Sequence, residues 1–260
     1  MKIGCCAPTD CYLTVKQYGY DYIELSGAEI MSMDEAQFIR FSEQYKAVGF
    51  PCIGFNSFSS GVPMLVGPKR DEALLDRYIR EMCRRGEMLG ISYIGIGAPK
   101  ARVLPEDYPR EKADEELSEF LCRACGYAGE RNISVLLEAV HSGCCNYINY
   151  SKEALSIVKR LEISNLGMTL DFYHAEMMRE ATDDMAKVMP YVKHLHTSTG
   201  GPGEKRGYIG KEDVSKLSRF LKIAKAGGYT GAISVEADAD TLERDGKPCC
   251  RYIAEAAEDL

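Results

Sequence analysis

Short apolar runs alternate with segments of helical period along this chain, and the alternation limits its fold more than any other feature. Eight runs have the length and composition of buried β-strands, at residues 2–6, 22–25, 52–55, 93–97, 134–138, 167–171, 192–196 and 232–236. Because strands that alternate with helices pair in parallel, we expect these runs to form one parallel sheet.

The segments between the runs carry apolar residues at helical spacing. Three stripes are clear: Leu75, Ile79, Met82 and Leu89; Leu117, Phe120, Leu121, Ala124 and Ala128; and Val214, Leu217, Leu221 and Ala224. The pair Gly227-Gly228 then stops the third helix. Eight strand–helix repeats within 260 residues match the size of a closed barrel. We therefore predict an α/β protein with one domain, residues 1–260, folded as a (β/α)8 TIM barrel.

Charge and composition argue against several kinds of partner. The formal net charge of −7 disfavours a nucleic-acid backbone. The chain runs from Met1 straight into a strand-like segment, with no signal-peptide pattern and no apolar run long enough for a bilayer. We expect a cytoplasmic protein that acts on a small molecule. We expect it to bind neither a nucleic acid nor a membrane. A homo-oligomer is compatible with the sequence, which identifies no interface.

Eleven cysteines are many for a chain of this size, but their number is odd and no export signal accompanies them. Three adjacent pairs and one C-x-x-C within a helical pattern do not match the spacing of a zinc site. We expect free thiols in a reducing compartment.

Four of the apolar runs end in, or closely before, an ionisable residue: Glu138, Asp171, His196 and Glu236. Such a residue at the end of a buried strand is costly unless it is used. In a β/α barrel the carboxyl ends of the strands meet at one face, where active sites lie. The alternatives are strand-end charges for the two glutamates, a helix N-cap for Asp171 and a core histidine for His196.

Three carboxylates and one imidazole form a hard, oxygen-rich ligand set. It suits one divalent ion, Mn²⁺, Mg²⁺ or Co²⁺, and Zn²⁺ is also acceptable. Such an ion leaves positions for a carbonyl and a neighbouring hydroxyl, so it can polarise the carbonyl and stabilise an enediolate. Glu138 and Glu236 are then candidates to remove and return a proton. His174, shortly after Asp171, is a candidate for holding a substrate hydroxyl, or is a loop histidine.

Two loops stand out by composition. Residues 56–70 follow the third run and are rich in Gly, Ser and Pro, and residues 197–210 follow the seventh and contain Gly200-Gly201-Pro202-Gly203. Both are expected at the carboxyl face, where loops contact substrates, and otherwise are flexible surface loops.

The segments Glu138-Ala139-Val140, 170–174, His194-Leu195-His196 and Ser234-Val235-Glu236 resemble the signature positions of the xylose-isomerase-like superfamily of sugar phosphate isomerases and epimerases. Its members include ketose 3-epimerases, hydroxypyruvate isomerase, inosose dehydratase and endonuclease IV. The resemblance implies a TIM barrel, a divalent metal on Glu138, Asp171, His196 and Glu236, and proton transfer by the two glutamates.

The substrate side departs from the ketose epimerases that the chain resembles. Those enzymes carry an Asn-Arg-aromatic-Glu run where this chain has His141-Ser142-Gly143-Cys144, so Cys144 replaces a substrate-side glutamate. Their arginine about six residues after the metal histidine corresponds to Pro202, with Arg206 slightly beyond. The resemblance thus implies His141, Cys144 and Arg206 as substrate contacts.

A further loop, residues 95–105, is similar to one in some sugar phosphate isomerases. Lys100 and Arg102 are therefore candidates for binding a phosphate or carboxylate, and otherwise are solvated loop charges.

The sequence favours a metal-dependent isomerase or epimerase of a sugar, sugar phosphate or related keto-polyol. A lyase of the same fold, similar to inosose dehydratase, uses the same enediolate chemistry and is the alternative, followed by a carbohydrate-binding homologue without catalysis. A DNA-repair enzyme like endonuclease IV is disfavoured, because no histidine precedes His141 and the chain is acidic.

Overall fold

In the computed structural model, which describes residues 1–258, eight strands form one closed barrel in chain order. All neighbours pair in parallel, and the first strand closes the ring against the last. The strands are β1 Ile3–Ala7, β2 Tyr22–Ser26, β3 Cys52–Asn56, β4 Tyr93–Ile96, β5 Ser134–Glu138, β6 Leu166–Asp171, β7 Val192–Thr197 and β8 Ile233–Val235. The predicted single (β/α)8 TIM barrel is confirmed.

The same described residues form ten α-helices. They are α1 Tyr12–Gln17, α2 Gly27–Ser32, α3 Glu35–Val48, α4 Glu72–Leu89, α5 Arg110–Gly129, α6 Ser151–Leu161, α7 Phe172–Met177, α8 Thr182–Val188, α9 Val214–Ala226 and α10 Lys247–Glu258. Two of the predicted apolar stripes, on α4 and α5, are fully buried, and α9 buries three of its four stripe residues. Helix α9 ends at Ala226 with Gly227 as its C-cap, and Gly228 follows with a φ of 86°, which a glycine adopts without strain.

Aromatic rings fill the end of the barrel at which the strands begin. The Tyr22 ring lies against Gly4 of β1 and the Tyr93 ring against Gly54 of β3, where a Cβ atom would collide with each ring. Both tyrosines are buried. The amino end is thereby filled with side chains, and the opposite end is left for the polar residues described next.

Among residues 1–258, no helix combines the length and the apolar character needed to span a membrane.

Candidate active site

Glu138, Asp171, His196 and Glu236 come together at the carboxyl end of the barrel. Glu138 ends β5, Asp171 ends β6, His196 lies in β7, and Glu236 follows the last residue of β8. One donor atom from each lies within 4.8 Å of the donor atoms of the others. The imidazole Nδ1 of His196 is 3.4 Å from Glu138 Oε1 and 3.5 Å from Glu236 Oε2.

Two buried polar atoms in this cluster have no hydrogen-bond partner among the described residues: His196 Nδ1 and Glu138 Oε1. They face one another across 3.4 Å. Buried polar atoms in folded proteins are nearly always paired, so unpaired ones need a reason. Carboxylate oxygens and an imidazole nitrogen are suitable ligands for a divalent cation, and the four residues fit one.

Asp171 also caps a helix, which is the alternative that the sequence offered for this residue. Its Oδ1 accepts from the Tyr173 backbone N–H at 2.9 Å, at the start of α7. Its Oδ2 accepts from the Arg206 guanidinium at 2.5 Å. One oxygen thus orders the backbone while the other faces the cluster.

Arg206 spans the mouth of the cluster and binds three strand ends at once. Besides Asp171, its Nη1 donates to Glu236 Oε2 at 2.7 Å and its Nε donates to Ser198 Oγ at 2.9 Å. Asn56, at the end of β3, donates to the other oxygen of Glu236 at 2.9 Å. These contacts hold the Glu236 carboxylate in one orientation.

The two glutamates have opposite proton affinities. Burial raises the pKa of Glu138 to about 7. Burial also opposes ionisation of Glu236, but the positive charge of Arg206, followed by His196, holds the pKa of that carboxyl well below its usual range. Two carboxyl groups whose surroundings separate their pKa values in this way can divide acid and base roles between them.

Glu24, in the middle of β2, belongs to the site and was missed by the sequence analysis. It is completely buried and contacts both His194 and His196. Burial opposes its charge, yet the two histidines hold the pKa of Glu24 well below its usual range. The available signal was a glutamate within the apolar run Tyr22–Ser26.

A cleft of about 490 Å³ opens above Glu138 and Glu236. Its lining includes four of the predicted substrate contacts: His141, Cys144, His174 and Arg206. A second cleft of about 290 Å³ adjoins it and shares four lining residues: Ser57, Arg206, Glu236 and Asp238. The two loops singled out in the sequence thus supply part of the lining, through Ser57 and residues 203–206.

The imidazoles of His141 and His174 are held by backbone groups. Nδ1 of His174 accepts from the His141 backbone N–H at 3.3 Å, and Nδ1 of His141 accepts from the Gly143 backbone N–H at 3.0 Å. Burial lowers the pKa of His174 to about 4, so its ring is neutral near pH 7. With Nδ1 accepting, the proton of each neutral ring is on Nε2, which can donate to a ligand oxygen.

Arg102 and Lys100 are not brought to the cleft. The Arg102 side chain is fully buried beside Cys145, and its three guanidinium nitrogens have no hydrogen-bond partner among the described residues. Burial lowers the pKa of Arg102. Lys100 is exposed and does not line either cleft.

The closed parallel barrel defines a TIM-barrel protein, and TIM-barrel enzymes have their active sites at the carboxyl ends of the strands, where this chain places three carboxylates and an imidazole. The profile of the xylose isomerase-like TIM barrel family matches residues 13–257. The chain belongs to this family.

Two characterised relatives are similar over most of the chain. An inosose isomerase from Halalkalibacterium halodurans is 25% identical over 243 residues, covering 84% of this chain and 78% of the relative. An L-ribulose 3-epimerase from a Methylomonas species is 27% identical over 224 residues, covering 84% and 74%. Among solved structures, the IolI protein with a bound zinc atom has a TM-score of 0.74 at 16% identity, with 100% of this chain and 97% of that chain covered. This last likeness shows the fold alone.

Proposed function

We propose that the protein is a divalent-metal-dependent isomerase or epimerase of an uncharged keto-polyol, either a free ketose or a cyclic polyol ketone. The observation that carries the proposal is the cluster of Glu138, Asp171, His196 and Glu236, with two buried atoms unpaired at its centre. The inosose isomerase and the L-ribulose 3-epimerase support this class of reaction, because both act on polyol ketones.

The cluster residues would hold the metal ion. Three carboxylates and one imidazole match the preferences of Mn²⁺, Mg²⁺ and Co²⁺, and Zn²⁺ accepts the same ligands. When bound, the ion would act as a Lewis acid toward the carbonyl of the substrate.

Proton transfer is assigned to Glu138 and Glu236, which reach the cleft from two strands separated by β6 and β7. A carboxylate beside the carbon next to the carbonyl removes a proton, and the enediolate regains one at the same or the neighbouring carbon. Asn56 and Arg206 fix the Glu236 carboxylate by hydrogen bonds. Glu138 has an unpaired oxygen and a raised pKa, both suited to carrying a proton.

Substrate hydroxyls are assigned to the other wall of the cleft. His141 and His174 offer imidazole N–H groups there, and the Cys144 thiol lies beside them. Neutral donors of this kind suit hydroxyl oxygens, because burying them costs less than burying a charged group.

The charges around the cleft favour an uncharged substrate over a phosphorylated one. Among the described residues, the lining of the two clefts contains one lysine, Lys205, and one arginine, Arg206. Arg206 is committed to Asp171 and Glu236, and Lys205 pairs with Asp240. Phosphate recognition normally uses arginine or lysine donors that are free to bind it, and Arg102 and Lys100 do not line the cleft.

Metal binding is the first test. Purified protein is expected to take up about one divalent ion per chain from Mn²⁺, Co²⁺ or Zn²⁺, measured by elemental analysis after dialysis. The double variant Glu138→Ala, Asp171→Asn removes two of the four ligands and should lose the ion. Full occupancy in that variant would contradict the assignment.

Product analysis distinguishes the two enzyme classes. Metal-loaded protein is incubated with free ketoses, their phosphates and an inosose, and the products are identified by mass and NMR. An isomer of unchanged mass from a free ketose or inosose supports the proposal. A product lighter by one water would identify a lyase, and turnover of the phosphates alone would overturn the uncharged substrate.

A further inference from the structure

A glutamate side chain lies inside the barrel, beneath the metal-ligand cluster, where this residue type is rare. Glu24 of β2 is 0% exposed, and neither cleft is lined by it. Burying an ionised carboxylate is unfavourable unless hydrogen bonds or opposite charges compensate. The interactions that compensate this carboxylate therefore indicate its role.

Both oxygens of Glu24 are bound by histidines from β7, which β1 and β8 separate from β2 around the closed ring. His194 Nε2 lies 2.8 Å from Oε1. His196 Nε2 lies 3.1 Å from Oε1 and 3.1 Å from Oε2. Both histidines are buried, so these hydrogen bonds form in a region without bulk water.

The bond to His196 determines what the rest of that ring can do. Nε2 lies within hydrogen-bond distance of both Glu24 oxygens, the arrangement of an imidazole N–H that donates to a carboxyl group, so the ring proton is assigned to Nε2. The opposite nitrogen, Nδ1, points toward Glu138 and Glu236 at 3.4 and 3.5 Å and has no other partner among the described residues. A ring oriented in this way can offer the Nδ1 lone pair to a cation between those carboxylates.

We propose that Glu24 is the positioning residue of the metal site: it holds the His196 ring so that Nδ1 serves as the metal ligand. The inference rests on the proposed metal-dependent function. A carboxylate that hydrogen-bonds the far nitrogen of a metal-binding histidine fixes the orientation and tautomer of the ring, and typically contributes 10–100-fold to metal affinity.

Further buried groups hold Glu24 itself in place. His194 Nε2 also lies 3.1 Å from Ser234 Oγ in β8, and Ser234 Oγ donates to the Tyr22 hydroxyl at 3.0 Å. The Tyr93 ring lies 4.8 Å from the His194 ring, centre to centre. Hydrogen bonds therefore run from Tyr22, near the amino end of the barrel, to the ligand cluster at the carboxyl end.

A second metal arrangement is available at the other side of His196, because Cys6, Glu24 and His196 also lie close enough to share an ion. Both Glu24 oxygens already accept hydrogen bonds from the histidines, and Cys6 Sγ is 3.9 Å from His196 Nε2. The proposal assigns these atoms to hydrogen bonding and the Nδ1 side to the metal, and the measurements below distinguish the two sides.

The variant Glu24→Gln tests the proposal with little change in shape. A glutamine has one acceptor oxygen and one NH₂ group, and because His196 Nε2 lies 3.1 Å from both oxygens of Glu24, either orientation of the amide places the NH₂ beside this nitrogen. Where the NH₂ faces His196, Nε2 must accept, and the ring proton moves to Nδ1, the nitrogen that faces the cluster. Glu180→Gln is the matched control, because Glu180 also accepts two hydrogen bonds, from Ser151, and lies outside both clefts.

Affinity for Mn²⁺ and Zn²⁺ is measured by competition with a chelator, and the unfolding temperature of each metal-free variant is recorded alongside. We expect Glu24→Gln to weaken metal binding about 10–100-fold, with Glu180→Gln unchanged. Wild-type affinity in folded Glu24→Gln would overturn this inference and leave the proposed function intact. A wild-type protein that binds no divalent ion would overturn the proposed function and this inference with it.

A second measurement applies even if Glu24→Gln does not fold. In Zn²⁺-loaded wild-type protein with ¹⁵N-labelled histidine, NMR is expected to show His196 protonated at Nε2 and metal-bound at Nδ1. Zinc on Nε2 would place the ion on the Cys6 and Glu24 side and would contradict the positioning role.

Discussion

Cys144 is the thiol on which a substrate contact is most readily tested. Its side chain is exposed, lines the cleft and donates to the His141 backbone oxygen at 3.2 Å. All eleven cysteines are free thiols in the structure, but most are buried in the core. Cys122 is also exposed, on α5 and away from both clefts, and therefore provides a matched comparison.

We predict that Cys144→Ser changes KM for the substrate, while Cys122→Ser does not. The hydroxyl is smaller than the thiol and a stronger hydrogen-bond donor, so it alters contacts on the substrate side. Both variants should keep the free energy of unfolding within about 0.5 kcal/mol of the wild type, because each site is on the surface. Steady-state kinetics and denaturant unfolding measure the two effects, and an identical KM for both variants would contradict the assignment of Cys144.

Arg102 illustrates how a single residue can depart from its expected surroundings. As a loop arginine between Ala101 and Val103, it resembles an exposed anion ligand. The loop instead turns inward through the short helical turn Pro99–Ala101, and the Leu65 backbone N–H pairs with the Ala101 carbonyl at 2.7 Å. Arg102 follows this contact directly and is fully buried, and a contact between two loops far apart in the sequence is not encoded locally.

At the scale of elements, the two glycines Gly97 and Gly126 have different roles. Gly97 follows β4, and a Cβ atom there would collide with Glu138 Oε2. Gly126 is exposed within α5, and a Cβ atom there would meet no neighbour within 4 Å. The first glycine makes room for the Glu138 carboxylate, and the second only weakens a helix.

Alanine should therefore stabilise the fold at position 126 and disturb the position of Glu138 at position 97. We predict that Gly126→Ala raises the free energy of unfolding by about 0.5–1 kcal/mol, as expected for glycine replacement inside a helix. Gly97→Ala should displace the Glu138 carboxylate and weaken metal binding. Denaturant unfolding and chelator competition test both, and unchanged metal affinity in Gly97→Ala would show that Glu138 moves aside freely.

The strands could be predicted because each is encoded locally. Their apolar runs predict all eight to within one residue at each end, and the four cluster residues follow from where those runs end. Strand β8 is the shortest, so Glu236 lies just beyond it rather than at its last position. The sequence predicts where the loops lie along the chain but not their conformations, because these depend on contacts between the loops.

At the scale of the whole molecule, closure of the barrel explains what the sequence analysis missed. Glu24 and His196 are 172 residues apart, and four strands along the chain separate β2 from β7. Only the closed ring brings β2 within reach of β7 across the interior. A glutamate in an apolar strand signals a buried charge, but its partners follow from the complete barrel.

Under the proposed function, Glu138 and Glu236 transfer a proton between substrate carbon and solvent. Metal-loaded enzyme in D₂O is incubated with a converted ketose or inosose, and deuterium is followed by NMR at the carbon next to the carbonyl. We predict that deuterium enters this carbon before product accumulates. Glu138→Gln and Glu236→Gln should slow the exchange by about 10²–10⁴-fold, with Glu180→Gln unaffected. Complete conversion without deuterium incorporation would contradict the account, because it would require a hydride shift within the bound substrate and leave the two glutamates as ligands alone.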